Sequence, residues 1–410
     1  MWMLFQLAWR NLWRQGRRSL ITATAMSVAV AMCMAMIAFN DGMYGKLFNV
    51  MVEQQLGHVQ VHHPDYPKAM LPYDTVPEAT ATLERIEALP DVVAAAARLN
   101  GAGLVGGKVQ AMGAQLVGLD PRRDAAVTKA DQQIVEGRFL AEAPAHEIVL
   151  GKGLAKEIDA RVGDSVVIVT QAADGSMGND VYDVVGFFST GSAQMDKGGT
   201  MLHLTDLQEL LALPGQVHGI TVIGDDPDAV LTLKDHVKTV VPEGTEVLTW
   251  QEASPMAAQL MSTQTAGSAI FLGLVFTVAS FGVLNTMLMS VFERTRELGV
   301  LKAIGMRPGR IVTLVVFESL LLAALAGGIG LVLGGFLDYL LVVYGLDVSS
   351  NGEGMSFQGV QLDPVMRGEV HASSIAMVVI ALLIVSVVAS LYPAFRASRL
   401  VPVEAMRVND

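Results

Sequence analysis

The stretch Glu293–Arg310, ERTRELGVLKAIGMRPGR, is a charged segment set between two long apolar runs. The runs Gly267–Phe292 and Ile311–Val343 are each long enough to cross a hydrocarbon layer of about 30 Å, which takes about 20 helical residues. The segment between them is therefore a tight connection on one side of a membrane. Leu298, Leu301 and Ile304 fall at helical spacing on one side, while Glu293, Arg294, Arg296, Glu297 and Lys302 stay polar, so a short amphipathic helix is expected. Gly305 suits the end of that helix and Pro308 the start of the next.

Composition agrees with a membrane protein. Hydrophobic residues make up 52% of the chain and charged residues 17%, with a mean hydropathy of +0.45, well away from an ordinary soluble domain. Four spans are expected, at 19–39, 267–292, 311–343 and 372–391, the third longer than a membrane requires. They leave a large insert at 40–266, the connection at 293–310, a loop at 344–371 and a tail at 392–410. The clusters Arg10/Arg14/Arg17/Arg18, Arg294/Arg296/Lys302/Arg307/Arg310 and Arg396/Arg399/Arg407 all fall on one side, so the basic-residue bias makes both termini and the connection cytoplasmic and the insert extracytoplasmic. Residues 40–265 carry 15 basic and 30 acidic side chains, a net −15, and the rest of the chain carries +3. Nucleic acid is thereby set aside as a partner.

Residues 1–18 are expected to form an interfacial helix, with Trp2, Phe5, Trp9 and Trp13 at helical spacing beside the arginines, followed by a retained first span rather than a cleaved signal. The sole cysteine, Cys33, lies in that span and can close no internal disulfide. The insert must then be held by its own core, for which its length is ample. It reads as mixed helix and strand. Helices are expected near 77–89, 205–211 and 228–240, and strands near 57–61, 109–118, 147–150, 165–170, 182–188 and 219–223. A division into two parts is placed near residues 101 and 202.

Several residues carry a resemblance. Asn285-Thr-Met before the charged segment, the segment itself, Tyr392-Pro-Ala-Phe-Arg-Ala and Pro402-Val-Glu-Ala-Met-Arg together resemble the FtsX/MacB-type permeases of ABC transporters. Glu147-Ile-Val-Leu-Gly-Lys-Gly-Leu-Ala, Val162-Gly-Asp and Val184-Val-Gly-Phe-Phe-Ser-Thr-Gly resemble the periplasmic core domain of the same permeases. The resemblance implies four transmembrane helices with a large α+β extracytoplasmic domain between the first two, comprising a porter-like and a β-rich part. It also implies that Glu293, Arg294, Arg296, Glu297, Leu298, Lys302 and Gly305 form a coupling helix seated in a separate ATPase dimer. ATP and Mg would then be bound by that partner and no cofactor by this chain. A second permease subunit, identical or a paralogue, is implied as well.

Other motifs are set aside on their chemistry. Gly101-Ala-Gly-Leu-Val-Gly106 matches a dinucleotide-binding pattern, but no strand is evident leading into it and no amphipathic helix follows. The near P-loop at 102–108 has Ala for its first Gly and Val109 where a magnesium-binding Ser or Thr belongs. His58, His62 and His63 lack a cysteine or third ligand for zinc. No catalytic constellation can be assembled from the spacing, so the chain is read as non-enzymatic.

Inside the membrane, Glu318 lies about 12 Å along a helix from Arg310 and needs a partner across the bundle. Gly330 and Gly334 form a small-xxx-small pair for close helix packing, with Ala25, Ala29 and the other small residues of the first span as candidates for the facing surface. At the outer mouth, Phe39, Tyr44, Leu47 and Phe48 continue the first helix, and Met256, Leu260 and Met261 lead into the second. Two readings stay open for them: an apolar pocket suited to acyl chains, or a hydrophobic stalk. Within the resembled family the outer-domain size, the lack of a fused ATPase and Gly57-His-Val-Gln-Val point towards lipoprotein-release permeases of an inner membrane. Lipoprotein cargo, a periplasmic carrier and membrane lipid would be the further partners. A macrolide or peptide efflux permease and an FtsX-like regulator of cell-wall hydrolases are the alternatives.

Overall fold

The computed structural model describes residues 2–14, 16–191, 193–347, 356–357, 360–361 and 365–402. The chain separates into two compact units. One comprises residues 1–44, 263–348 and 365–410, and the other residues 45–262 and 349–364.

The first unit is helical. Its elements are α1 (Trp2–Arg14), α2 (Gly16–Phe48), α3 (Pro255–Glu293), the short α4 (Thr295–Ala303), α5 (Pro308–Val343) and α6 (Ala372–Ser398). Four of these, α2, α3, α5 and α6, are long and apolar enough to cross a membrane. They outrun the spans expected from hydropathy: α2 continues past Phe39, α3 begins before Gly267, and α6 runs through Pro393 to Ser398. Hydropathy marks the part of a helix that lipid can bathe, whereas the helix itself stops only where backbone bonding is interrupted. The core of the unit joins Met26, Val30 and Cys33 of α2 to Phe276 and Val283 of α3, Leu322 and Ala326 of α5, and Val378 and Leu382 of α6.

Close approach in this bundle depends on glycine. A methyl group at Gly330 would lie 2.7 Å from Val30 Cβ, and one at Gly334 would lie 2.6 Å from Met34 Sδ. The surface facing this pair is Ser27, Val30, Ala31 and Met34, rather than Ala25 and Ala29. Ser27 Oγ also donates to the Ala326 carbonyl of α5 at 2.8 Å.

The second unit is built on ten strands: β1 (Val59–His62), β2 (Val92–Gly106), β3 (Ala111–Leu119), β4 (Ile134–Gly137), β5 (Glu147–Gly151), β6 (Ser165–Gln171), β7 (Met177–Phe188), β8 (Gly199–His203), β9 (Gly219–Gly224) and β10 (Glu246–Thr249). Their order is β10-β1-β9-β2-β3-β8-β5-β7-β4, with β6 pairing β2 and β7. The β3/β8 and β5/β7 pairs are parallel and the rest antiparallel. Helices cover the sheet at Ala79–Glu87, Leu204–Leu210 and Val230–Val240, within a residue or two of their expected positions at one or both ends.

The strand β2 serves two cores. Its first half pairs with β9 up to Arg98 and its last residues pair with β6 from Gly103. Ala95 and Ala97 belong to a core with Val59, Val61, Ile86, Val222 and Trp250. Leu99 and Val105 belong to another with Leu116, Leu150, Ile168, Tyr182 and Leu202. The change of partner straddles residue 101. This strand also overturns the reading of Gly101–Gly106 as lacking a strand: the motif lies wholly inside β2. A methyl at Gly103 would meet the Val169 carbonyl oxygen at 2.9 Å, and one at Gly101 would meet Leu211 Cδ1 at 3.0 Å. Its glycines therefore admit neighbours in the sheet rather than a pyrophosphate.

Candidate coupling site

The helix α4 exists because its neighbours stop it on both sides. Before it Arg294 takes non-helical backbone angles, φ −106° and ψ 16°. After it Gly305 adopts φ +97°, a conformation a side chain rarely allows. The Gly305 and Met306 amides close the turn on the Lys302 and Leu301 carbonyls at 3.0 Å each. Pro308 then opens α5.

Leu298 is fully covered, in a core with Val291, Ile311, Val315, Ala394 and Ala397, and Leu301 packs against it. Ile304 does not follow. It is 79% exposed, because the helix ends before the turn that would carry it round to the buried side. The Tyr392-Pro-Ala-Phe-Arg-Ala motif meets the charged segment here: Ala394 and Ala397 join that core, and the Arg396 guanidinium lies 4.7 Å from the Phe292 ring centroid. Within Pro402-Val-Glu-Ala-Met-Arg, all but Pro402 lies outside the described residues.

Three charged residues of the segment, Arg294, Glu297 and Lys302, are engaged mainly with groups outside it. Arg294 has only 13% of its side chain exposed; its Nη1 reaches Glu318 Oε1 at 2.7 Å and its Nε reaches Glu297 Oε2 at 3.2 Å. Glu297 Oε1 in turn meets Arg14 Nη1 at 2.6 Å. Asn11 Nδ2 donates to Glu318 Oε1 at 2.6 Å. The intramembrane carboxylate thus has both its partners, and the network ties α1, α4 and α5 together. Lys302 Nζ donates to the Ser398 and Leu400 carbonyls at 2.8 and 2.6 Å, holding the end of α6. Burial opposes the charge on Arg294, but the carboxylates of Glu318 and Glu297 outweigh it and raise the guanidinium pKa above its ordinary value. Burial likewise pushes Glu297 up, and the hydrogen bonds from Arg294 and Arg14 overcome it to hold the carboxyl below its usual range.

The seven residues singled out in this segment therefore divide. Arg294, Glu297, Leu298 and Lys302 hold the segment in place, and Gly305 turns it. Glu293 and Arg296 are exposed, as are Val300 and Ile304. Arg296, Val300 and Ile304 recur every four residues and form one outward stripe. Neither Asn11 nor Arg14 was singled out from sequence as a partner of this site; the unmet charge of Glu318 was the one signal that such partners existed.

The candidate cargo residues belong to both units. In the first unit, Phe39 and Tyr44 are half-buried. In the second, Leu47 is fully buried, Phe48 and Met261 pack on the core that contains Trp250, Leu260 is half-buried and Met256 is 78% exposed. Phe48 meets Trp250 edge to face at 5.7 Å and lines a cleft of about 560 Å³ with Val230 and Leu231.

The histidines set aside as zinc ligands have structural roles. His62 bonds the His218 carbonyl through Nδ1 and the Gln60 side chain through Nε2, at 2.8 Å each. Its ring stacks on Tyr66, whose other neighbour is the His218 ring at 4.6 Å. Burial lowers the pKa of both His62 and His218. The buried His58 accepts from the Gly224 amide at 3.1 Å, and His63 lies 3.7 Å from Asp74.

Comparison with known proteins bears on the whole chain. Residues 269–402 match the FtsX-like permease C-terminal family, and residues 19–240 match the MacB-like periplasmic core domain. The LolC lipoprotein-releasing system transmembrane protein of Neisseria meningitidis is 24% identical over 96% of this chain and 95% of its own length. LolE of Haemophilus influenzae is 26% identical over 63% of this chain and 64% of its own. The macrolide export ATP-binding/permease protein MacB of Hyphomonas neptunium is 29% identical over 51% of this chain and 38% of its own. The periplasmic region of MacB from Actinobacillus actinomycetemcomitans aligns with a TM-score of 0.36 at 12% identity, covering 48% of this chain and 91% of that one. With one family match alone spanning more than half its length, and with an α/β domain inserted in the chain between the first and second of four long apolar helices, the chain belongs to the FtsX/MacB-type permeases, the non-catalytic membrane subunits of ABC transporters.

Proposed function

We propose that this permease couples ATP hydrolysis by a separate subunit to the release of lipoproteins from the outer leaflet of an inner membrane. The observation that carries this reading is the end-to-end match to a lipoprotein-releasing LolC, which takes in the spans and the outer domain alike. The outward stripe Arg296, Val300 and Ile304, with Glu293, is the surface offered to the ATPase dimer. Arg294, Glu297 and Lys302 pass its displacement to α1, α5 and α6 through the contacts they make. ATP and Mg reside on the partner, both termini face the cytoplasm, and a second permease subunit completes the transporter. Each buried methylene of an acyl chain contributes about 0.8 kcal/mol, so apolar surface near Phe48 and Leu260 can hold a lipid tail without a charged contact. Release then delivers the lipoprotein to a periplasmic carrier.

The test is reconstitution. The chain, its ATPase and any paralogous permease are placed in liposomes loaded with an acylated lipoprotein, with photo-crosslinkers at Phe48 and Leu260. Crosslinks to lipoprotein before ATP that disappear after ATP, and hydrolysis that needs the ATPase subunit, are expected. Crosslinks to a soluble compound on the outer domain, with no lipoprotein captured, would favour the efflux reading suggested by the MacB matches.

A further inference from the structure

The end of the helical unit away from α4 holds a buried carboxylate that nothing above uses. Asp338 is the thirty-first residue of α5, about 45 Å along it from Pro308 and near the end of the helix opposite α4. It is only 4% exposed, and its Oδ1 has no hydrogen-bond partner. It lines a cavity of about 10 Å³ together with Asp41 of α2, Glu369, and His371 and Ser374 at the start of α6. The stretch before α6 is strapped over this cavity. The Gly368 amide donates to the Leu341 carbonyl of α5 at 3.2 Å, and the Glu369 amide donates to the Ala38 carbonyl of α2 at 2.9 Å.

The groups facing the cavity are unequal. Asp41 is supported by Ser374 Oγ, which donates to its Oδ2 at 3.0 Å, and by His371 Nδ1 at 3.4 Å. Glu369 and His371 are exposed and open the site to solvent, and Arg367 in the same strap is exposed too. Asp338 alone is enclosed. A carboxylate with an unpaired oxygen in such a place carries a large desolvation cost, and an opposite charge must meet it. A metal ion is a poor fit: among the described residues no group of three or more His, Cys, Asp or Glu side chains is placed to hold one, and hard cations take about six oxygens or more. The cavity has room for about one water.

We propose that Asp338 is a proton-binding site loaded from the outer face through this cavity, and that the bound proton holds together the outer ends of α2, α5 and α6. Taking a proton from water converts Oδ1 from a charged, unpaired acceptor into an O–H donor, and the single cavity water accepts that bond. Losing the proton returns a naked charge to the junction of the three helices and loosens it. The set of the outer ends of the bundle thereby follows the acidity of the outer compartment.

The sign of the effect is fixed. Above about pH 4 an unfolded aspartate has lost its proton, so a proton bound at Asp338 in the folded chain makes stability fall as pH rises until that proton is released. Thermal unfolding of the full chain in lipid nanodiscs, from pH 5 to 8, is compared with that of Asp338→Asn. The wild type is expected to lose about 1–3 °C of Tm for each tenfold drop in proton activity relative to the variant. Parallel profiles would overturn the proposal. Infrared spectroscopy supplies a readout that does not rely on the stability of the variant: at pH 7 the wild type shows the C=O stretch of a protonated carboxylic acid that Asp338→Asn lacks. Absence of that band from the wild type overturns the assignment. So does stabilisation of the wild type at pH 8 when sodium replaces choline, which would make the site one for a metal cation.

Discussion

Arg294 and Glu318 show how a charge in a membrane helix is accommodated. Breaking a buried pair by removing one partner typically costs 3–5 kcal/mol, because the other is left uncompensated. Arg294→Ala is expected to destabilise the chain by about that amount, and Arg294→Ala/Glu318→Ala by clearly less than the two single changes added together. Denaturation of all three variants in one detergent measures the coupling. A second expectation concerns the stack of His62, Tyr66 and His218. Burial lowers both histidine pKa values from 6.5, so their contribution is whole above pH 6.5 and is lost as pH falls through the lower folded values. The outer domain should therefore unfold more readily below about pH 6.5, and His218→Gln in the full chain should flatten that dependence. Charge demand was readable from sequence at Glu318, since an intramembrane acid announces a partner. Who supplied it was not, because Asn11 and Arg294 lie 307 and 24 positions away in the chain.

The short helix α4 was readable in outline and misread in detail. Apolar spacing identified Leu298 and Leu301 as its buried side, but it enrolled Ile304, which the positive φ of Gly305 leaves beyond the helix. The outward stripe yields a direct expectation. Ile304→Asp and Val300→Asp should weaken binding of the ATPase subunit and abolish stimulated hydrolysis, while changing the stability of the permease by no more than about 0.5 kcal/mol, as at other exposed sites. Pull-down of the ATPase together with the Tm of the free permease decides this; undiminished binding by the double variant would displace the docking surface from α4. Alanine replacement of Glu297 should behave differently, since it releases Arg14 and Arg294 as well. The strand β2 was not readable at all. Its run of alanines and glycines favours neither strand nor core on intrinsic grounds, and only its three neighbours, β3, β6 and β9, make a strand of it.

Across the molecule, the class of protein could be read from hydropathy, the basic-residue bias and a few long motifs, all of which are local in sequence. The architecture of the outer domain could not, because its ladders join distant segments such as β1 with β9 and β10. One such ladder has a consequence for how the domain opens. Since β2 threads both hydrophobic cores, neither half can come apart while the other keeps its strand, and the domain has no internal seam along which to melt. Backbone amides from Ala95 to Val105 should then exchange with deuterium only through complete unfolding of the domain, with a single free energy on either side of residue 101. Two distinct protection levels, one for the Ala95–Arg98 stretch and another for Gly103–Val105, would mean that the halves are separate foldons that merely share a strand. A domain of the first kind moves as one solid piece wherever it is pushed, with no inner joint to absorb the displacement.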